Sequence, residues 1–134
     1  MPQESSNANL YDLALDLIKC VGKYAWAVGL RDNLEDDSTR HKVEPTLQSY
    51  FHGDIEKLNS SIGARKGRCY TAIKRFNFFC GKHGIILVSN KDRLIELLLD
   101  PHRRQAWNRY IKQHEKAGTT FSLQDLERKY QKSR

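Results

Sequence analysis

The chain has 134 residues, 39% apolar and 29% charged, with five Phe, six Tyr and two Trp. That length and composition fit one domain with a buried core and exclude disorder throughout, while three Pro and eight Gly exclude a collagen-like or proline-rich chain. The net charge of +7 is unevenly laid out: residues 1–56 hold five basic and ten acidic side chains, and residues 57–91 hold eight basic and no acidic ones. Residues 101–134 then hold nine basic against three acidic. An acidic front and a basic back point to a polyanionic partner, nucleic acid before an acidic membrane surface. The most apolar stretch, residues 10–30, carries Asp12, Asp16, Lys19 and Lys23, which argues against a membrane span. Residues 1–9 lack the pattern of a secretory signal, so an intracellular protein with no membrane partner is expected.

In chain order, residues 1–8 read as a flexible polar tail, and residues 9–134 as a single helical domain. Leu10, Leu13, Leu17, Val21, Tyr24 and Val28 recur at three- and four-residue steps, which predicts an amphipathic helix over 9–30 that ends near Gly29. Its stripe either completes the core or pairs two copies as a homodimer, with Trp26 and Val28 at the interface. Residues 31–43, with Asp32, Glu35, Asp36 and Asp37, are expected as an acidic surface loop. Pro45 opens the next helix, closed near Gly53. Asp54 is an N-cap for a short helix over 55–62, which Gly63 breaks, and a further helix covers 65–80. The β-branched run at 85–88, bounded by Gly84 and Ser89-Asn90, reads as a buried strand. Propensity favours a helix at 91–99, although a turn at 89–92 would make this stretch a second strand of a hairpin. Asp100-Pro101 and Gly118 frame a helix over 101–116, and Ser122 with Asp125 forms a capping box for a last helix over 123–132.

Residues 54–89, with a short helix, a glycine at 63, a basic helix at 65–80, Gly84 and the run Ile-Ile-Leu-Val, resemble the helix-turn-helix and first wing strand of winged-helix DNA-binding domains. The likeness implies a mainly α fold with a short β element, in which residues 54–99 form the winged-helix-like unit and residues 100–134 supply basic C-terminal helices. It also implies a recognition helix that reads duplex DNA. The residue chemistry agrees independently. With Tyr70, Ile73 and Phe76 turned inward, Arg68, Thr71, Lys74 and Arg75 fall on the other sides, and Arg65 and Lys66 stand at the entrance. Lys82 and Lys91 lie near the wing. Arg103, Arg104, Arg109 and Lys112 on the 101–116 helix provide a second phosphate-contacting surface.

Other chemistries are poorly supported. Cys80-x-x-His83 lacks the second tight pair of a zinc site, so neither metal nor other cofactor is expected. No carboxylate lies between Glu56 and Asp92 to hold a nuclease metal, and no phosphate loop or nucleophile elbow is present. The sequence thus predicts a non-enzymatic protein that binds duplex DNA. One alternative is recognition of double-stranded RNA by two basic helices. Another is a helical adaptor for an acidic protein, in which Trp107 or Phe78 and Phe79 carry the contact.

Overall fold

The computed structural model describes residues 2–133, with side chains from Asn9 to Lys132. Among these residues there are six helices and no strand: α1 (Pro2–Glu35), α2 (Arg40–Phe51), α3 (Ile55–Lys82), α4 (Lys91–Leu98), α5 (Pro101–Ala117) and α6 (Leu123–Ser133). No described helix is long and apolar enough to cross a membrane.

Two long helices, α1 and α3, pack antiparallel and carry the rest. At one end Ala27, Leu30 and Leu34 of α1 meet Leu58 and Ile62 of α3, and Leu47 and Phe51 of α2 close this smaller core. At the other end Leu10, Leu17 and Val21 of α1 meet Cys69, Ile73, Phe76 and Cys80 of α3, under Leu94 and Leu98 of α4, Trp107 and Ile111 of α5, and Leu126 of α6. The apolar stripe of α1 is therefore consumed within the protein's own core, although Trp26 stays 40% exposed beside Tyr50.

Several expectations need correcting. The first helix does not stop near Gly29, because Leu30 and Leu34 continue an apolar face that α2 and α3 cover; the expected acidic loop at 31–43 shrinks to residues 36–39. The reversal there is tight. The Asp36 side chain accepts from the Ser38 N–H at 2.9 Å, the Thr39 hydroxyl donates to Asn33 O at 2.8 Å, and Arg40 Nε donates to Leu34 O at 2.7 Å. Pro45 consequently lies inside α2 and not at its start. Residues 2–8, expected as a tail, fall within the bounds of α1, and their side chains lie outside the described residues.

Gly63 breaks nothing. α3 runs through it for 28 residues, capped by Asp54, whose carboxylate accepts from the Glu56 N–H at 2.9 Å. Leu58, Ile62, Cys69, Ile73, Phe76 and Cys80 stay in phase across the glycine, so burial of one continuous stripe outweighs its lower helix propensity, about 1 kcal/mol. The turn of the expected helix-turn-helix is thus not formed.

Nor is the wing. The run at 85–88 has no regular secondary structure and no partner strand, because residues 91–98, the neighbouring candidate, form a helix capped by the Asn90 carboxamide, which accepts from Arg93 N–H at 3.0 Å. Asn77 of α3 substitutes for a strand partner. Its carboxamide accepts from the Val88 N–H at 2.8 Å and donates to Val88 O at 3.1 Å. The later capping signals appear as expected. Asp100 accepts from the His102 N–H, Gly118 terminates α5 at φ 70°, and Ser122 and Asp125 cap α6 reciprocally at 3.0 and 3.2 Å.

The C-terminal end of α5 is tied to α1 by the Tyr11 hydroxyl, which lies 3.1 Å from His114 O and 2.9 Å from Thr119 O. The His114 ring packs against Phe121 and sits 2.7 Å from the Thr119 hydroxyl. Burial, then the nearby Lys129 charge, holds its imidazole below the usual histidine range despite Asp125. A depressed histidine disfavours protonation in the folded state, so stability is present in full above about pH 6.5 and falls as pH drops through that value. Asp100 acts at lower pH. Burial alone would raise its carboxyl, but the bonds from the His102 N–H and Tyr130, with Arg103 nearby, outweigh this and hold it low, so its contribution is lost below about pH 4. Urea midpoints across pH 7.5 to 5 should decline for the wild type and decline less for His114→Gln.

A second prediction tests the unbroken helix. A Cβ at Gly63 meets nothing within 4 Å and the residue has no positive φ, so Gly63→Ala should stabilise the protein by about 0.5–1 kcal/mol in urea unfolding. A turn glycine at this position would give the opposite sign.

Candidate nucleic-acid interface

The inward stripe of α3 has nearly seven-residue regularity, with Ile62, Cys69 and Phe76 on one row and Ile73 and Cys80 on the next. Its opposite face inherits the same order. Lys57, Ala64, Arg68, Thr71, Arg75, Phe78 and Lys82 recur on one exposed row at steps of three, four or seven. From Arg68 to Lys82 the row rises about 21 Å along the helix axis. Arg68, Arg75 and Lys82, and Lys74 on its flank, make no ion pair among the described residues. Thr71 turns its hydroxyl back to Gly67 O at 3.1 Å.

The other expected contact residues divide into free and committed groups. Arg65 faces α1: its guanidinium donates to Lys23 O at 3.1 Å and the Ser61 hydroxyl at 2.9 Å, 5.2 Å from the Trp26 ring. It fastens the two long helices while its side chain stays half-exposed. Arg103 is more deeply enclosed, with a two-pronged bond to Glu127 at 2.9 and 3.1 Å, a third to Leu97 O at 3.0 Å, and the Tyr130 ring 4.5 Å away. Arg104 donates to Leu98 O and Leu99 O at 2.7 and 2.9 Å, closing the end of α4. These three arginines belong to the scaffold.

Lys66 lies over the Tyr70 ring on the α4 flank of α3, where the Tyr70 hydroxyl bonds to Asp92, and Lys91 is exposed at the start of α4. Arg109 and Lys112 are exposed on α5. They do not join the α3 row: Leu15, Ile18, Lys19 and Gly22 of α1 line the depression beside α5, whereas Asn9, Asp12 and Leu13 line the one beside α3. Helix α1 stands between the two basic surfaces.

The depression beside α3 is a groove of about 820 Å³. Thr71, Lys74, Arg75 and Lys82 supply its polar and cationic wall, and Phe78, Phe79 and His83 an aromatic one. Phe78 is 67% exposed, with the Lys82 ammonium 4.5 Å from its ring centre, while the Phe79 and His83 rings pack 4.3 Å apart at a tilt of 34°. Sequence reading placed Phe78 and Phe79 only in the adaptor alternative, and singled out neither His83 as their neighbour nor Asn9 and Asp12 opposite. The signal for Phe78 was its spacing, three residues after Arg75 and four before Lys82. Nothing local signals Asn9 and Asp12, which reach the groove only through the pairing of α1 with α3.

Chemically the groove offers cations, a planar apolar surface and hydrogen-bonding groups. The cysteines do not contribute. Burial pushes the Cys69 and Cys80 thiols up to about 11, which leaves them protonated at neutral pH. No group of three or more His, Cys, Asp or Glu side chains among the described residues is arranged to hold a metal ion. Trp107, the candidate contact of an adaptor, is 1% exposed and unavailable to a partner.

The division of the arginines is testable. Arg103→Ala leaves Glu127 half-enclosed without its cation and should destabilise the fold by about 2 kcal/mol or more. Arg75→Ala, on the open face, should change urea stability by less than about 0.5 kcal/mol. Comparison with known proteins gives no match to a family model, a curated protein or a solved structure.

Proposed function

We propose that the protein binds nucleic acid, without catalysing a reaction on it, through the exposed row of α3. The observation that carries this reading is the row with its flank: Arg68, Lys74, Arg75 and Lys82 make no ion pair among the described residues and lie in a 35-residue stretch, residues 57–91, that has no carboxylate. Cations left without protein counterions on one face of a rigid helix are available to displace the counterions of a phosphate backbone, a favourable exchange at physiological salt. Phosphate tracking takes the place of the expected recognition helix, since the turn and wing that would aim it into a major groove are not formed. Double-stranded RNA and an acidic protein are the competing ligands. A protein ligand would be held by dispersed ion pairs, with no dependence on a polymeric phosphate chain.

Fluorescence-anisotropy titrations over a range of salt concentrations decide the matter. If Arg68, Lys74, Arg75 and Lys82 each neutralise one phosphate, log K against log salt should have a slope near −3 to −4, at about −0.9 per phosphate on duplex DNA. The double variant Arg68→Ala/Arg75→Ala should make the slope shallower by about 1.8. An unchanged slope in that variant, or no binding of either duplex or single-stranded nucleic acid at physiological salt, would sink the proposal.

A further inference from the structure

We infer, building on the nucleic-acid reading, that the groove between α1 and α3 holds an unpaired base, so that the preferred ligand is a single strand and not a duplex. Phe78 leaves two-thirds of its surface in water although the row around it consists of charged and polar residues. A duplex hides the faces of its bases in its own stack and gives such a ring nothing to cover it. An unpaired base has an open π-face, and stacking of that face on an aromatic ring is tolerant of base identity.

The neighbours of Phe78 are those a nucleotide needs. Arg75 lies one turn before it and Lys82 one turn after, so phosphates on either side of a stacked base meet a cation. The Phe79–His83 pair provides a second aromatic surface lining the same groove.

Across the groove, Asn9 and Asp12 fix the orientation. The Asp12 carboxylate makes no ion pair among the described residues and repels phosphate, so the backbone must run along the α3 rim. The edge of the base then faces α1. A carboxylate only accepts hydrogen bonds, which favours a base edge carrying an amino group, such as cytosine, over the carbonyl-flanked edge of thymine.

The test compares labelled probes with equal numbers of phosphates against the full-length chain: an oligodeoxycytidine, an oligothymidine, an oligomer of abasic sites, and a duplex. The oligodeoxycytidine should bind at least about fivefold more tightly than the abasic oligomer, the lower end of what one stacked base contributes. Phe78→Ala should abolish that margin while leaving the salt slope intact, and Phe78→Trp should retain it. Asp12→Asn should erase the preference for cytosine over thymine. Equal binding of abasic and base-bearing strands, or no effect of Phe78→Ala, would overturn the base site while the salt slope still upheld phosphate binding. Tighter binding of the duplex would also overturn it. Failure of all four probes to bind would remove the nucleic-acid reading itself.

Discussion

The antiparallel pairing of α1 with α3 is the constraint on which every other element depends. The two helices treat it differently. α3 buries one continuous stripe along most of its length, whereas α1 changes face between Val21 and Ala27, six residues that turn the helix by about 240°. That change gives α1 two core-facing surfaces. The first packs beneath α4, α5 and α6, and the second beneath α2. The regularity of α3 has a consequence on its far side, because a strict inward stripe leaves an equally strict outward one. The cations of α3 stand in a row since the apolar residues behind them do.

Four arginines hold this arrangement by donating to backbone carbonyls, three of them at helix ends. Arg40 donates to Leu34 O near the end of α1, Arg103 and Arg104 to the last carbonyls of α4, and Arg65 to Lys23 O within α1. Terminal carbonyls have no partner within their own helix, and a guanidinium with five donors can satisfy one while pairing elsewhere. Arg103 does so, joining Leu97 O, Glu127 and the Tyr130 ring at the junction of α4, α5 and α6. The basic back of the chain is therefore partly mortar, and the charge available to a ligand is smaller than the net charge of +7 suggests.

Local signals were read well where the chemistry was local. Asp100-Pro101, Gly118 and the Ser122–Asp125 box each act through bonds within a few residues, so the bounds of α5 and α6 were legible. Gly29, Gly63 and Pro45 misled because each weakens a helix by an amount that burial of neighbouring leucines and isoleucines outweighs. The Ile-Ile-Leu-Val run misled for another reason. Its residues suit a strand, but a strand exists only with a partner, and the one backbone pairing that Val88 finds is with the side chain of Asn77. In the site, the exposed cations of α3 were legible from helical spacing. Arg65, Arg103 and Arg104 were not separable from them, because residue type and periodicity are the same for a guanidinium facing water and one facing a carbonyl.

The sequence by itself determined that this protein is mainly helical, that its apolar residues suffice for a core, and that its positive charge gathers after residue 56. These follow from composition, periodicity and capping, which operate within one or two turns of chain. Only the tertiary structure decided that two expected helices are one, that three arginines are tied to backbone carbonyls, and that Asn9 and Asp12 stand across a groove from Phe78. Each of those outcomes turns on contacts that reach beyond a single helix, where the deciding quantity is which surfaces are buried together.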